Sequence, residues 1–309
     1  MAVSIPELLQ DLRAETLPCT ENEPLARHTT FRIGGPAAVF CQPRTAAELM
    51  RTLELCRAHH VRTYLLGNGS NVLFAGAGFP GAVVCLTALA SQPTLERQPD
   101  GRVALKTGAG VTLAAVCRAA CAAGLTGLEF AYGIPGTVGG AVYMNAGAYG
   151  SEVKDALASA AFLDERLRLQ TLPTPALALG YRTSVFETKN WCILEATFLL
   201  KADPQGPAAI QARMEDFMAR RRGKQPLDLP SAGSTFKRPQ GAFAGRLIDQ
   251  CGLRGFAVGG AAVSEKHCGF VVNKGGATCA DVLALTEEVC RIVKEKTGYT
   301  LEREIRVVG

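Results

Sequence analysis

The chain reads as an α+β protein in two parts, on three features. A helix and strand over 45–66 run straight into a polar glycine turn, residues 127–150 are glycine-rich yet apolar, and Ala202-Asp-Pro-Gln-Gly-Pro207 separates a strand from a helix. Two prolines, a glycine and a charge in so short a stretch mark a boundary. A length of 309 residues, 48% hydrophobic and 20% charged, fits two or three globular domains.

The elements follow in order. Ser4-Ile-Pro-Glu7 carries a capping box for a short N-terminal helix, and Thr45-Ala-Ala-Glu48 repeats it ahead of Leu49, Met50, Leu53 and Cys56 at helical spacing. Between them, Thr29-Thr-Phe-Arg-Ile-Gly-Gly-Pro36 predicts a strand ending in a turn. Val61–Leu66 predicts a strand closing a β-α-β unit at Gly67-Asn-Gly-Ser-Asn71, and loops at such strand ends commonly hold ligands. Short strands are expected at 82–86 and 103–107, then an alanine-rich helix from Thr112 to Ala123 stopped by Gly124, then strands near 156–163 and 193–200. Beyond the boundary come a helix from Ala208 to Arg222, a short helix around Arg246–Cys251, and strands near 256–263 and 270–272. A helix over 281–297 capped by Gly298 and a terminal strand over 299–308 complete the chain.

A formal net charge of +5 with 6% aromatic residues calls for neither a nucleic-acid groove nor a membrane surface, and leaves anionic small molecules as ligands. No long apolar stretch occurs, and Met1-Ala-Val-Ser-Ile-Pro-Glu7 lacks the basic-then-apolar pattern of a leader, so a cytoplasmic protein without membrane insertion is expected. The eleven cysteines are scattered without a C-x-x-C pair and the four histidines lack ligand spacing. Neither a disulfide framework nor a metal site is expected.

Segment 127–150 has glycines at 127, 133, 136, 139, 140, 147 and 150 and no basic residue, yet carries Phe130, Tyr132, Ile134, Val138, Val142, Tyr143 and Met144. Linkers are poor in such side chains. A packed segment this rich in glycine predicts close approach of a ligand to the backbone, and inward-turned peptide N–H groups suit an anion. Gly67-Asn-Gly-Ser-Asn71 and Gly108-Ala-Gly-Val-Thr-Leu113 each fail the third glycine of G-x-G-x-x-G, with Val72 and Leu113 in its place, and no G-x-x-x-x-G-K-[ST] run occurs. Rossmann and P-loop sites are thereby disfavoured. Two lysine-free glycine loops point instead to a dinucleotide pyrophosphate held by peptide N–H groups with Asn68, Ser70, Asn71 and Thr137.

Six segments in order carry a resemblance: Gly67-Asn-Gly-Ser-Asn-Val-Leu73, the long glycine segment to Asn-Ala-Gly-Ala-Tyr149, Tyr181-Arg-Thr-Ser-Val-Phe186, Gln225-Pro-Leu with Pro230-Ser-Ala-Gly-Ser-Thr-Phe-Lys237, Val263-Ser-Glu-Lys-His267, and Leu301-Glu-Arg-Glu-Ile-Arg306. Over nearly the whole chain it resembles the UDP-N-acetylenolpyruvoylglucosamine reductases, the MurB-type flavoenzymes of peptidoglycan precursor synthesis, in their shorter second type. The resemblance implies an N-terminal helix and lead-in at 1–30, then a two-lobed FAD-binding PCMH-type domain at 31–201, with lobes about 31–66 and 67–201. A smaller α+β substrate-binding domain follows at 204–309. It further implies a monomer with non-covalent FAD, NADPH as hydride donor and a UDP-sugar enolpyruvyl ether as substrate.

Carried over residue by residue, the resemblance gives FAD to Gly67, Asn68, Gly69, Ser70, Asn71, Gly133, Ile134, Pro135, Gly136, Thr137, Gly139, Gly140, Asn145, Ala146 and Gly147. Ser234 matches the proton donor to C2, Arg182 the clamp on the carboxylate and developing enolate, and Glu304, on the expected terminal strand, the group that polarises the same system. Lys224 matches a lysine at the substrate diphosphate, with Lys237 and Arg238 as further phosphate or nucleotide contacts. His267 is open between the site and a structural hydrogen bond. The chain departs from the family pattern at Arg238 and Gly269, where asparagine is common, and over Phe74-Ala-Gly-Ala-Gly78, where an aspartate is favoured. The competing expectation is another PCMH-type flavin oxidase or dehydrogenase, which needs none of Ser234, Arg182 and Glu304.

Overall fold

The structure, a computed structural model, describes residues 4–309 in two compact units. The first comprises residues 4–20, Phe40–Asn68 and Ala82–Arg221; the second comprises Glu21–Val39, Gly69–Gly81 and Arg222–Gly309. The expected boundary at 204 followed the chain, whereas the units do not. Segments 21–39 and 69–81 are bound into the C-terminal part: Thr30 Oγ1 donates to the Ser231 carbonyl (2.7 Å), Asn273 Nδ2 donates to that of Phe31 (3.2 Å), and Arg306–Val308 pairs in parallel with Val72–Phe74.

In the first unit, α1 (Ile5–Ala14) and α2 (Ala46–Ala58) start where their caps predict, with Ser4 Oγ accepting from Glu7 N and Thr45 Oγ1 from Glu48 N. The Glu48 carboxylate turns to the Arg44 N–H (2.8 Å), so the second capping box is only half made. Arg51 on α2 clasps Glu15 at the end of α1 through Nε (2.7 Å) and Nη2 (2.6 Å). Thr63–Leu66 then pairs in parallel with Ala82–Cys85 of the strand Phe79–Cys85. The main sheet is antiparallel in the order 169–173, 157–163, 192–202, 103–108, 94–97. Its hairpin partner Leu169–Pro173 had no sequence expectation, being a largely exposed edge strand without an apolar alternation. Against this sheet lie α3 (Leu113–Ala122), α4 (Val138–Tyr143) and most of α5 (Gly206–Lys224), closing a core that includes Phe162, Phe186, Phe198, Ile210 and Met214. Arg213 of α5 reaches Glu129 (2.8 Å) and also pairs with Asp203.

The second unit is an antiparallel sheet in the order Ser231–Ser234, Phe270–Asn273, Ala261–Val263, Ala257–Val258, with α6 (Ala244–Gln250) and α7 (Cys279–Thr297). Helix α7 begins at a complete capping box between Thr278 and Asp281. It buries Val282, Leu285, Val289 and Val293, each 0% exposed, on one stripe, and each such side chain contributes about 1.5–3 kcal/mol.

Two expected strands are corrected. Thr29–Pro36 is irregular because Arg32 (φ 55°) and Gly34 (φ 146°) break extension, and the strand starts at Pro36–Cys41. The terminal strand over 299–308 shrinks to Arg306–Val308, while 299–305 is held by an isolated bridge between Phe236 and Arg303. Glu304 therefore precedes the strand that was expected to carry it. The eleven cysteines are free thiols, and no described helix is long and apolar enough to cross a membrane.

Candidate active site

Within the first unit the start of the shorter glycine loop, Gly67-Asn68, lies against the longer one. Gly67 lies against Thr137, where a Cβ would stand 2.6 Å from Oγ1, and Asn68 Nδ2 donates to the Pro135 carbonyl at 2.9 Å. Thr137, only 2% exposed, caps α4 by accepting from Gly140 N (3.4 Å), and Gly139 seats its own backbone against Ala109, whose Cβ would be 2.9 Å from one added at 139.

The expectation that the long segment offers inward N–H groups to an anion is corrected here. The N–H groups of Ile134, Gly136, Val138, Gly139 and Ala146 donate to the carbonyls of Ala131, Ile134, Val111, Ala109 and Ala141 at 2.8–3.0 Å. The longer segment keeps only isolated donors such as the Gly133 and Thr137 N–H groups, whereas the shorter loop has a run of them: the N–H groups of Gly67, Asn68, Gly69 and Ser70 find no acceptor among the described residues. Four successive backbone donors fit a diphosphate. The turn depends on Gly69 (φ 60°), where a Cβ would lie 2.1 Å from the His28 carbonyl oxygen.

The end of the glycine segment has a different task. Asn145, fully buried, donates through Nδ2 to Glu152 (3.0 Å) and to the Gly180 carbonyl (2.8 Å), and accepts from Lys154 N (3.0 Å) at Oδ1. Its amide is thus spent inside the protein, and what it governs is the turn Gly180–Thr183. That turn carries Arg182, whose Nη2 donates to the Gly147 carbonyl (3.1 Å) and whose guanidinium lies 5.1 Å from the Tyr181 ring centre. Arg182 itself is left-handed (φ 58°). Such a conformation in a non-glycine residue costs on the order of 1–3 kcal/mol and clusters at functional sites. Gly147 serves the same turn through its carbonyl, while Ala146 accepts from Val153 N at 2.9 Å.

In the second unit, Gly233 (φ 77°) bulges the strand Ser231–Ser234, leaving Ser234 exposed. The next residue, Thr235, is 1% exposed, and its Oγ1 accepts from Val271 N (2.8 Å). The Thr235 carbonyl accepts from Glu304 N at 2.8 Å, which puts the backbone of Glu304 one residue from Ser234. Asn71 Nδ2 donates to the Glu304 carbonyl (3.4 Å), and Asn71's own carbonyl accepts from Arg306 N (3.0 Å). Asn71 thereby anchors the segment that bears Glu304. Glu302, the neighbouring acid, is exposed and pairs with Lys237 (3.4 Å).

Lys224 ends α5 in an exposed position, and Arg238 stacks 4.5 Å from the ring centre of Phe243. His267 makes a hydrogen bond within the fold: its Nδ1 accepts from Gly269 N (3.1 Å), and burial pushes its pKa down. At Gly269, where the chain departs from the family pattern, a Cβ would meet the His267 ring at 2.9 Å.

Sequence reasoning missed Arg221. In the basic cluster Arg220-Arg-Arg222 near the end of α5, where basic residues complement the helix dipole, Arg220 pairs with Asp216 (2.7 Å). The available signal was the stripe Ile210, Met214, Met218, which at helical spacing continues to Arg221.

Among the described residues, no cluster of His, Cys, Asp or Glu could hold a metal. Residues 36–171 match the family model of an FAD binding domain. The loops and this match define an FAD-binding oxidoreductase of α+β architecture, with a PCMH-type cofactor domain. Residues 225–308 match the UDP-N-acetylenolpyruvoylglucosamine reductase C-terminal domain. The chain is 46% identical over 307 residues to a UDP-N-acetylenolpyruvoylglucosamine reductase of Lachnoclostridium phytofermentans, covering 99% of this chain and 97% of that one. A reductase of the same name from Clostridium perfringens is 44% identical over 290 residues, covering 94% and 93%. The crystal structure of the enzyme from Thermus caldophilus superposes with a TM-score of 0.77 at 34% identity, covering 95% of this chain and 99% of that one. The chain belongs to the UDP-N-acetylenolpyruvoylglucosamine reductase family.

Proposed function

We propose that the enzyme reduces UDP-N-acetylglucosamine enolpyruvate to UDP-N-acetylmuramate in peptidoglycan precursor synthesis, with NADPH as reductant, as a cytoplasmic monomer. The observation that carries the residue assignment is the hydrogen bond from Glu304 N to the Thr235 carbonyl (2.8 Å), which puts the proposed acid–base pair Ser234 and Glu304 on neighbouring backbone segments. Bound FAD supplies the hydride chemistry, from NADPH and then to C3 of the enolpyruvyl group. The loop Gly67–Asn71 holds its diphosphate.

An enol ether is electron-rich and a poor hydride acceptor, so the protein must draw charge toward the carboxylate as the C3 bond forms. Arg182, rigid in its left-handed turn, offers a planar fork to that carboxylate and to the enolate oxygen. Glu304 polarises the same group, and Ser234 Oγ delivers the proton to C2. A hydroxyl is a weak acid, but a carbanion-like enolate is basic enough to take its proton once geometry is held. Lys224, Lys237 and Arg238 bind phosphates of the sugar nucleotide or NADPH, Lys237 by giving up Glu302.

Ser234→Ala tests the assignment in single-turnover kinetics. Reduction of the bound flavin by NADPH stays near wild type, while oxidation by the enolpyruvyl substrate slows by about 10²- to 10⁴-fold. Equal loss in both half-reactions, or in neither, refutes the role of Ser234.

A further inference from the structure

The glycine segment 127–150 contains no cation, and its amides are largely spent, yet the first unit supplies a cation to it from elsewhere. Helix α5 aims Arg221 at Gly133: a Cβ on Gly133 would lie 2.9 Å from Arg221 Cδ, so glycine at 133 makes room for the arginine stem. The guanidinium Nε is buried with no partner, and no carboxylate pairs with it among the described residues. Burial pushes its pKa down, opposed only by the Tyr149 hydroxyl, which itself donates to the Phe217 carbonyl (2.9 Å). Arg221 as a whole is only partly buried, but an arginine cannot shed its charge, and burying its Nε without a partner is costly. Protein chains keep such a group when a ligand brings the counter-charge. Arg221 lies outside both matched family regions, 36–171 and 225–308, whereas Gly133 lies inside the FAD-binding one.

We propose that Arg221 is the counter-ion for an anionic group of the bound flavin dinucleotide. Glycine at 133 thereby seats the arginine, since a Cβ there would meet its stem. FAD has two such groups: the pyrophosphate, charged in both redox states, and the N1–C2 carbonyl edge of the ring, which becomes anionic on reduction. The inference rests on the chain being an FAD enzyme, and wild-type protein that fails to take up FAD defeats that reading before any variant is made.

Arg221→Met continues the Met214–Met218 stripe, and Arg221→Lys keeps a charge without the fork. The test measures FAD dissociation constants and flavin midpoint potentials on the full chain, with thermal melting of the flavin-free protein as control. Flavin-free Arg221→Met melts at or above wild type, because a buried N–H without a partner has gone. If the pyrophosphate is the anion, oxidised FAD binds at least about tenfold more weakly, and Arg221→Lys recovers part of the loss. If the ring edge is the anion, oxidised FAD binds normally and the midpoint potential falls. Unchanged affinity and potential overturn the proposal, as does a loss confined to the KM of NADPH or the sugar nucleotide. Melting of flavin-free Arg221→Met well below wild type also overturns it, by making the arginine structural.

Discussion

Asn145→Ala removes a fully buried amide that closes three bonds: Gly180 carbonyl, Glu152 carboxylate and Lys154 N–H. The two neutral partners lose about 1 kcal/mol each. The bond to Glu152 is worth less than a fully buried charged one, because Lys154 Nζ (2.7 Å) and solvent still serve that carboxylate, so about 1 kcal/mol is assigned. Alanine is also poorer than asparagine at the left-handed angle of φ 43°, which adds about 1 kcal/mol. The sum is about 4 kcal/mol. Trp191, the single tryptophan, stacks on Phe162 (4.5 Å) inside the first unit and reports its unfolding by fluorescence. With a urea slope of about 3 kcal/mol/M, the midpoint falls by about 1.3 M. Because Asn145 sets the turn carrying Arg182, kcat falls more than KM rises in variant that remains folded at the assay temperature. A midpoint shift under about 0.3 M refutes the energetic reasoning. A full shift with normal kcat refutes the link from Asn145 to Arg182.

Two other measurements bear on the structure. Burial pushes the Glu129 carboxyl up, but hydrogen bonds from Thr126, Arg213 and the Gly127 N–H outweigh it and hold its pKa below the usual range. A depressed folded pKa gives stability that is present above the unfolded value of about 4.3 and is lost as pH falls through the folded value. Glu129→Gln therefore flattens the acid limb of the stability–pH curve, and an unchanged limb refutes the assignment. Restoring asparagine at Gly269 drives a Cβ to 2.9 Å from the His267 ring, costing about 1–3 kcal/mol. In a His267→Ala background most of that cost disappears, so a double-mutant cycle with additive effects contradicts the steric account.

The helix starts were legible because capping is local: Ser4, Thr45 and Thr112 each accept from an N–H three residues on. The candidate site was legible as residue types in order, which is how Ser234, Arg182 and Glu304 came to attention. Their roles were less so. Asn145 and Gly133 stood among the cofactor ligands by resemblance, and only coordinates show an amide spent on Gly180 and a gap filled by Arg221.

By itself, then, the sequence determined what short-range patterns encode: the caps, the helix of α7 with its Gly298 stop, the glycine turn after a strand, and the ordered motifs that mark the family. Tertiary structure decided which segments belong to which unit and which backbone donors remain unpaired. Those outcomes depend on bonds such as Thr30 to Ser231 and Asn71 to Glu304, between residues more than 200 positions apart. No periodicity encodes that pairing. The shorter loop Gly67–Ser70 kept its donors because no distant strand came to claim them, whereas the longer glycine segment lost most of its own to Ala109, Val111 and its own turns.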